Sequence, residues 1–132
     1  MKALYLDSSA FVKIAVEEPE SAALRALLAS GPARRVASAL LRAEAIRAVR
    51  HLGAEALAAV REGIRRVDLV AVDDQILDLA GLLEPRSLRT LDAIHLATAL
   101  ALGDDLAAVV SYDSRMLDAA RLLGVATLSP RT

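Results

Sequence analysis

The stretch LRTLDAIHLATALALG, from Leu88 to Gly103, predicts a helix that is buried inside a folded domain. Thr90 is suited to cap its start and Gly103 to end it, and almost every position between them is apolar. A helix that is apolar around its whole circumference belongs in a protein interior. Its first turn nevertheless carries a carboxylate, Asp92. Taken alone, this residue is explained equally well by the positive end of the helix dipole and by a functional role.

Length and composition indicate one domain, spanning residues 1–132, with a substantial core. The chain is 55% hydrophobic and 25% charged, and only 2% aromatic, so the core consists mainly of Ala, Leu and Val. No apolar run is long enough for a membrane helix, and Asp7 interrupts the short apolar start that a signal peptide would need. The chain has no cysteine, which excludes disulfides, thiolate zinc sites and cysteine nucleophiles. These features predict a cytoplasmic protein.

Charge is distributed unevenly along the chain, although the formal net charge is only −1. Between Arg34 and Arg66, eight arginines stand against three glutamates, a local net of +5. From Val67 to the C-terminus, five arginines face ten acids, a local net of −5. Such a basic segment is compatible with binding to a phosphate backbone, and equally with solvated helix faces.

Predicted strands alternate with predicted helices throughout the chain. Five short apolar runs, several of them ending in a polar residue, are typical of buried parallel strands. This alternation predicts an α/β fold with a mainly parallel sheet and helices on both faces. The strands are expected at residues 2–7, 35–37, 67–72, 106–112 and 125–129, and the intervening helices at residues 9–19, 20–30, 38–53, 54–67, 74–83, 90–102 and 114–123.

Several helix starts carry residues suited to capping. Ser8 and Ser9 are able to cap the first helix, and Pro19 fits the first position of the second. Ser38 is expected to cap the third helix, and Gly53 to end it.

Four acids are expected to meet at one edge of the sheet. Asp7 and Asp113 each follow a predicted strand, and ligands of open parallel sheets gather at the carboxyl ends of the strands. Asp92 opens the buried helix, and Glu44 lies beside the buried stripe of another. Four converging carboxylates would repel one another or take up protons, and a divalent cation removes that problem. Individually, Asp7 and Asp113 could instead be helix N-caps.

The donor set points to Mg²⁺, with Mn²⁺ able to substitute, because oxygen ligands suit these ions. Zinc is disfavoured, since neither His51 nor His95 has a zinc-binding spacing. A carboxylate-bound metal activates water and neutralises charge on a phosphodiester. The chain contains no glycine-rich phosphate loop and no G-x-S-x-G motif. For Glu44, an ion pair with Arg47 or Arg50 is the structural alternative.

The four acids lie in motifs that resemble those of the PIN domain, in particular the VapC-type toxins of toxin–antitoxin pairs. The resemblance runs through essentially the whole chain, and its motifs are LDSSAFVKI with Asp7, SALLRAE with Glu44, LDAIHLATAL with Asp92, and VVSYDSRMLDAARLLGV with Asp113. It implies a three-layer α/β/α sandwich and a Mg²⁺- or Mn²⁺-dependent endoribonuclease. It also implies Asp7, Glu44, Asp92 and Asp113 as catalytic and metal-ligating residues, a homodimer, and a small VapB-like antitoxin as partner.

Other polar residues near these motifs have structural explanations. His95 is expected to be a histidine hydrogen-bonded within the core, and His51 to interact with a helix C-terminus. Ser9 either hydrogen-bonds Asp7 or a metal-bound water, or caps a helix. Arg86 and Arg89 are near Asp92 in the sequence and either contact phosphate or are simply solvated.

Two other functions compete with a ribonuclease. A non-catalytic module that binds RNA or protein would use the same fold, but would be expected to lack one of the four acids. A receiver-like phosphoacceptor also has an acidic pocket at its strand ends. It would ordinarily have a lysine on a late strand, whereas the lysines here are Lys2 and Lys13.

Overall fold

The computed structural model describes residues 2–31 and 33–131, which form five strands and seven α-helices. Two short 3₁₀ turns, at Arg50–Leu52 and Gly103–Asp105, complete the regular structure of these residues. In chain order the elements are β1 (Ala3–Leu6), α1 (Ser8–Ala15), α2 (Ser21–Ala29), β2 (Arg34–Ser38), α3 (Leu41–Val49), α4 (Ala54–Ile64), β3 (Asp68–Val70), α5 (Asp74–Leu82), α6 (Thr90–Leu100), β4 (Leu106–Val110), α7 (Ser114–Leu122) and β5 (Thr127–Leu128).

The strands form one sheet in the order β3-β2-β1-β4-β5, and every pairing in it is parallel. The chain adds β2 and β3 on one side of β1, then returns to add β4 and β5 on the other. The order therefore reverses between β1 and β4, which creates a crevice at the carboxyl ends of these two strands. The predicted parallel α/β architecture is confirmed.

Helices cover both faces of the sheet. Leu4 and Leu6 of β1 pack with residues of α1, α2, α3 and α4 on one face. Tyr5 packs with residues of α6 and α7 on the other, because successive side chains of a strand point to opposite faces. α5 completes this second layer by packing its buried Ile76 and Ala80 against α6. The molecule is thus the expected three-layer α/β/α sandwich.

The central helix α6 is as buried as its sequence predicts, but its boundaries differ. All residues from Ala93 to Ala99 are buried, whereas Leu91 is 49% exposed because it lies in the first turn. Thr90 is not the cap: it is the first helical residue, and the preceding Arg89 is the N-cap without a side-chain hydrogen bond. Gly103 lies past the helix end with a φ of +56°, a conformation that glycine adopts without strain.

Three other predicted helix starts are wrong by a few residues. Ser38 belongs to β2, and its Oγ accepts a hydrogen bond from the Leu40 amide before α3 begins at Leu41. Pro19 precedes α2 by two residues. Asp7, and not Ser8 or Ser9, caps α1. In each case a side chain bonds the backbone in or just before the first turn of the helix, which local propensity does not resolve.

Four of the five strands are shorter than predicted, and β1 covers Ala3–Leu6 within the predicted residues 2–7. β3 covers Asp68–Val70, β4 ends at Val110, and β5 contains Thr127 and Leu128 alone. Within the part of the chain that the structure describes, every helix is too short or too polar to traverse a lipid bilayer.

Helix α4 approaches α1 closely at Gly63. A Cβ atom there would lie 2.9 Å from Cζ of Phe11, a ring that is 1% exposed and cannot easily move. We expect Gly63→Ala to lower the free energy of unfolding by about 1 kcal/mol, because overpacking outweighs the better helix propensity of alanine. Chemical denaturation measures this change.

Gly81 in α5 provides the matched control, because a Cβ atom there meets nothing within 4 Å. Gly81→Ala should leave stability unchanged or raise it by about 0.5 kcal/mol. A Gly63→Ala variant that is at least as stable as Gly81→Ala would show that the contact with Phe11 is not tight.

Candidate active site

The carboxylate of Asp7 is fixed at the carboxyl end of β1, and only 4% of the residue is exposed. Its Oδ1 accepts hydrogen bonds from the Ala10 amide at 3.0 Å and from Ser9 Oγ at 2.7 Å. Its Oδ2 accepts one from Ser111 Oγ at 2.5 Å. Burial raises the pKa of Asp7, and these hydrogen bonds only partly oppose the shift. The side chain is therefore held rigidly, at a cost in electrostatic free energy.

Ser111 connects Asp7 to Asp113. Its Oγ donates to Asp7 and accepts a hydrogen bond from the Asp113 amide at 3.0 Å. Asp113 in turn caps α7 through Oδ1, which accepts from the Arg115 amide at 2.9 Å. The cap interpretation of both aspartates is thus correct, and it places both carboxylates at the same crevice. Ser111 was missed in the sequence, where it was visible as a lone polar residue closing an apolar strand.

Glu44 reaches the crevice from α3 and is held by two side chains. Its Oε1 accepts a hydrogen bond from Ser8 Oγ at 2.8 Å and lies 2.5 Å from His95 Nε2. Partial burial raises the pKa of Glu44, but the interactions with His95 and Ser8 outweigh burial, so that the net pKa is lowered. Across residues 2–31 and 33–131, Glu44 pairs with His95 alone, so the ion pair with Arg47 or Arg50 is not formed.

Asp92 faces the other acids from the first turn of α6. Burial raises the pKa of Asp92, and the negative charges of Asp113, Asp7 and Glu44 raise it further, against the opposing effect of His95. Among the described residues, no hydrogen bond or ion pair reaches its carboxylate. The four acids singled out in the sequence therefore share one electrostatic environment, and Asp92 is its least compensated member.

The chemistry of this site suits a hard divalent cation. Its donors are carboxylate oxygens, and Oε2 of Glu44, Oδ2 of Asp113 and both oxygens of Asp92 accept no hydrogen bond from the described residues. Among the described residues, no three acidic or histidine side chains already converge as a ready-made cage. Asp7 and Glu44 are instead hydrogen-bonded to neighbouring side chains. The crevice therefore fits a divalent cation in the type of its donor atoms and in its negative charge.

The neighbouring polar residues divide into core and surface. His95 is 2% exposed and hydrogen-bonded within the core, as predicted. His51 is exposed and follows the C-terminus of α3. Ser9 donates to Asp7 and accepts from the Tyr112 amide at 2.9 Å, so its interaction with Asp7 is the correct alternative. Arg86 and Arg89 are both exposed.

Relatives in sequence cover nearly the full chain. The chain is 55% identical over 130 residues to Ribonuclease VapC46 of Mycobacterium tuberculosis, which corresponds to 98% of this chain and 99% of that protein. It is 40% identical over 130 residues to Ribonuclease VapC35 of the same species, with 96% of each chain covered.

Solved structures share the fold. The crystal structure of VapC20 of Mycobacterium tuberculosis, a toxin that cleaves the sarcin-ricin loop, superimposes with a TM-score of 0.76 at 18% identity, covering 97% of this chain and 100% of that one. A toxin–antitoxin complex from Klebsiella pneumoniae gives a TM-score of 0.73 at 16% identity, with 97% and 98% covered.

The family model of the PIN domain matches residues 4–122 of this chain. That range contains all four acids of the crevice and all seven helices. Together with the relatives at 55% and 40% identity, this match shows that the chain belongs to the PIN-domain family.

Proposed function

We propose that this chain is a ribonuclease that acts as the toxin of a toxin–antitoxin pair and depends on Mg²⁺ or Mn²⁺. The observation that carries the proposal is Asp92, a half-buried carboxylate that faces three further acids and has no cationic partner among the described residues. The names of relatives that match almost the full chain, Ribonuclease VapC46 and VapC35, support the activity.

Each acid has a different task in this proposal. Asp7 is the rigid member, because three hydrogen bonds fix both of its oxygens. Asp92 is the principal partner of Asp7 in holding the cation, and Glu44 and Asp113 each contribute an oxygen that accepts no hydrogen bond from described residues. When bound, the metal supplies an activated water and neutralises charge on the phosphodiester. No protein nucleophile is required.

RNA is the proposed substrate, and exposed arginines on α3 and α4 support its binding. Arg42 and Arg61 border a groove between these two helices, together with Ile46 and Ile64. Both arginines are exposed, and neither forms an ion pair with another described residue. Because α3 also carries Glu44, a phosphate backbone bound along these arginines would lead towards the acids.

Two protein partners belong to the proposal. A small antitoxin is supported by the VapC relatives and by the similarity to a toxin–antitoxin complex. A second copy of the chain is supported by the exposed leucines of α5, of which Leu82 is 81% exposed. The cytoplasmic location inferred from the sequence remains a prediction.

Cleavage of RNA tests the proposal directly. We expect the Asp7→Asn and Asp92→Asn variants to lose at least about 100-fold in Mg²⁺-dependent cleavage, because the stabilisation of charge at the phosphodiester depends on these oxygens. The measurement is the rate of cleavage of a labelled RNA pool with and without Mg²⁺.

Asp78→Asn is the control, since Asp78 is an exposed acid of α5 outside the crevice, and this variant should cleave at the wild-type rate. Full activity in both crevice variants would refute the nuclease assignment. RNA binding without cleavage by the wild-type protein would favour a non-catalytic module.

Thermal stability at different pH values tests the electrostatics of Asp92. Its raised pKa means that the folded state favours the protonated form, so stability is lost as pH rises from about 3.9, the value for an unfolded aspartate, through the higher folded pKa. Without metal, we expect Asp92→Asn to melt about 2 °C above the wild type at neutral pH. Below pH 3.9 the difference should disappear.

Addition of Mn²⁺ should reverse this order, because the wild type gains stability from a bound ion and the variant gains less. Asp78→Asn serves again as the control and should follow the wild type under all conditions. An Asp92→Asn variant that is destabilised without metal would contradict the like-charge environment described above.

The arginine groove is tested by the salt dependence of RNA binding. We expect Arg42→Ala together with Arg61→Ala to weaken RNA binding at low salt and to lower the slope of log K against log[salt] by about 0.7 for each phosphate that is no longer neutralised. The measurement uses the Asp92→Asn background, in which RNA should stay intact. Arg25→Ala, which removes an exposed arginine paired with Glu17, is the control and should bind normally. An unchanged slope in the double variant would exclude binding of RNA along the groove between α3 and α4.

A further inference from the structure

A buried polar pair, Tyr5 and His95, lies beneath the acidic crevice and takes no part in the proposed chemistry. Tyr5 is fully buried on β1, and His95 is 2% exposed on α6. Their rings pack edge to face with centroids 6.0 Å apart, and Tyr5 Oη lies 2.6 Å from His95 Nδ1. Polar groups buried to this degree in an Ala, Leu and Val core need a compensating interaction.

The hydrogen-bond partners define the direction of each bond. Oη of Tyr5 accepts a hydrogen bond from the Ser38 amide at 3.2 Å. Burial raises the pKa of Tyr5, so its hydroxyl keeps its proton and donates it to Nδ1 of His95. With Nδ1 accepting this bond, Nε2 carries an N–H group that lies 2.5 Å from Oε1 of Glu44 and can donate to it.

These side-chain bonds connect four elements of the fold. Ser38 ends β2, Tyr5 belongs to β1, and His95 belongs to the helix layer on the opposite face from α3. Glu44 projects from α3, so the bond from His95 joins the two helical layers across the edge of the sheet. Nε2 lies 2.5 Å from Oε1 of Glu44 and 3.4 Å from Oγ of Ser8, so Glu44 is its nearer partner. The imidazole is therefore fixed in both position and tautomer.

These bonds leave the two carboxylate oxygens of Glu44 in different environments. Both of its hydrogen bonds, from His95 and from Ser8, end on Oε1. Oε2 accepts none from the described residues and is left for the crevice. A carboxylate bound twice through one oxygen cannot rotate freely, so the direction of Oε2 is set by His95 and Ser8 together.

We propose that His95, fixed by Tyr5, is a positioning residue that directs Oε2 of Glu44 towards a cation held by the acidic crevice. The inference rests on the proposed function and adds a residue that binds neither metal nor substrate. His95 acts only through Glu44. A purely structural histidine would fill the same volume, but its hydrogen bond to Glu44 would then have no effect on metal binding.

Two substitutions of His95 separate positioning from packing. His95→Phe fills the space with an apolar ring that cannot donate, whereas His95→Gln keeps an N–H group near the location of Nε2. We expect His95→Phe to bind Mn²⁺ about 10- to 100-fold more weakly than the wild type, and His95→Gln to retain most of the affinity. Calorimetric titration of the full-length protein with Mn²⁺ alone measures this, with no RNA present.

Cleavage kinetics give an independent readout. For His95→Phe at saturating Mn²⁺, kcat should fall while KM for RNA stays close to the wild-type value, since RNA does not contact His95. Tyr5→Phe removes only the hydroxyl that orients the imidazole, and it should weaken Mn²⁺ binding by about 5-fold, the effect of one hydrogen bond. Nitrogen-15 spectra of labelled histidine should show the proton of His95 on Nε2 in the wild type, and a mixture of tautomers in Tyr5→Phe.

The outcomes are distinguishable. If His95→Phe binds Mn²⁺ as the wild type does, or if His95→Gln loses as much affinity as His95→Phe, the positioning role is refuted while the nuclease assignment stands. If His95→Phe does not fold, wild-type affinity in Tyr5→Phe refutes it instead. A wild-type protein that neither binds Mn²⁺ nor cleaves RNA would refute the proposed function, and the positioning role with it.

Discussion

Burial of the Asp7 carboxylate at the point where the strand order reverses is the constraint on which the crevice depends. A buried charge is expensive unless donors surround it, and here Ser9, the Ala10 amide and Ser111 supply them. Two of these donors come from the first turn of α1 and the third from the residue after β4, so the buried carboxylate links the ends of the two central strands. Parallel pairing of β1 with β4 brings Asp113 to the same location.

The negative charges of the crevice acids are compensated by their neighbours to different degrees. Asp7 has neutral donors, and Glu44 has a histidine and a serine, whereas Asp92 has other carboxylates as neighbours. Such an arrangement stores free energy in the folded protein, because like charges held together favour either protonation or a cation. Under the proposed function, this loss of stability is the cost of an environment that attracts a divalent ion.

The interaction between Glu44 and His95 also shows how the two helical layers cooperate. One layer provides Glu44, and the other provides both Asp92 and His95. A change in the packing of α6 would therefore alter two parts of the crevice together. Every residue of this helix from Ala93 to Ala99 is buried, which leaves the helix little freedom to move. Asp92 and His95 therefore keep fixed positions relative to the sheet.

The sequence by itself determined the α/β class and the buried α6, because hydrophobic periodicity is a local signal. It also predicted the four acids, from strand ends for Asp7 and Asp113 and from helix positions and family-like motifs for Glu44 and Asp92. It also identified His95 as a core histidine. Only the tertiary structure decided what His95 bonds, that Ser111 joins Asp7 to Asp113, and that Asp7 both caps α1 and lies at the crevice. These contacts join residues on different elements, such as Tyr5 and His95, and no local pattern specifies which polar side chains meet once the chain is packed. Exact helix starts at Leu41 and Ser21 escaped prediction because side-chain bonds in the turns, not propensity, fix them.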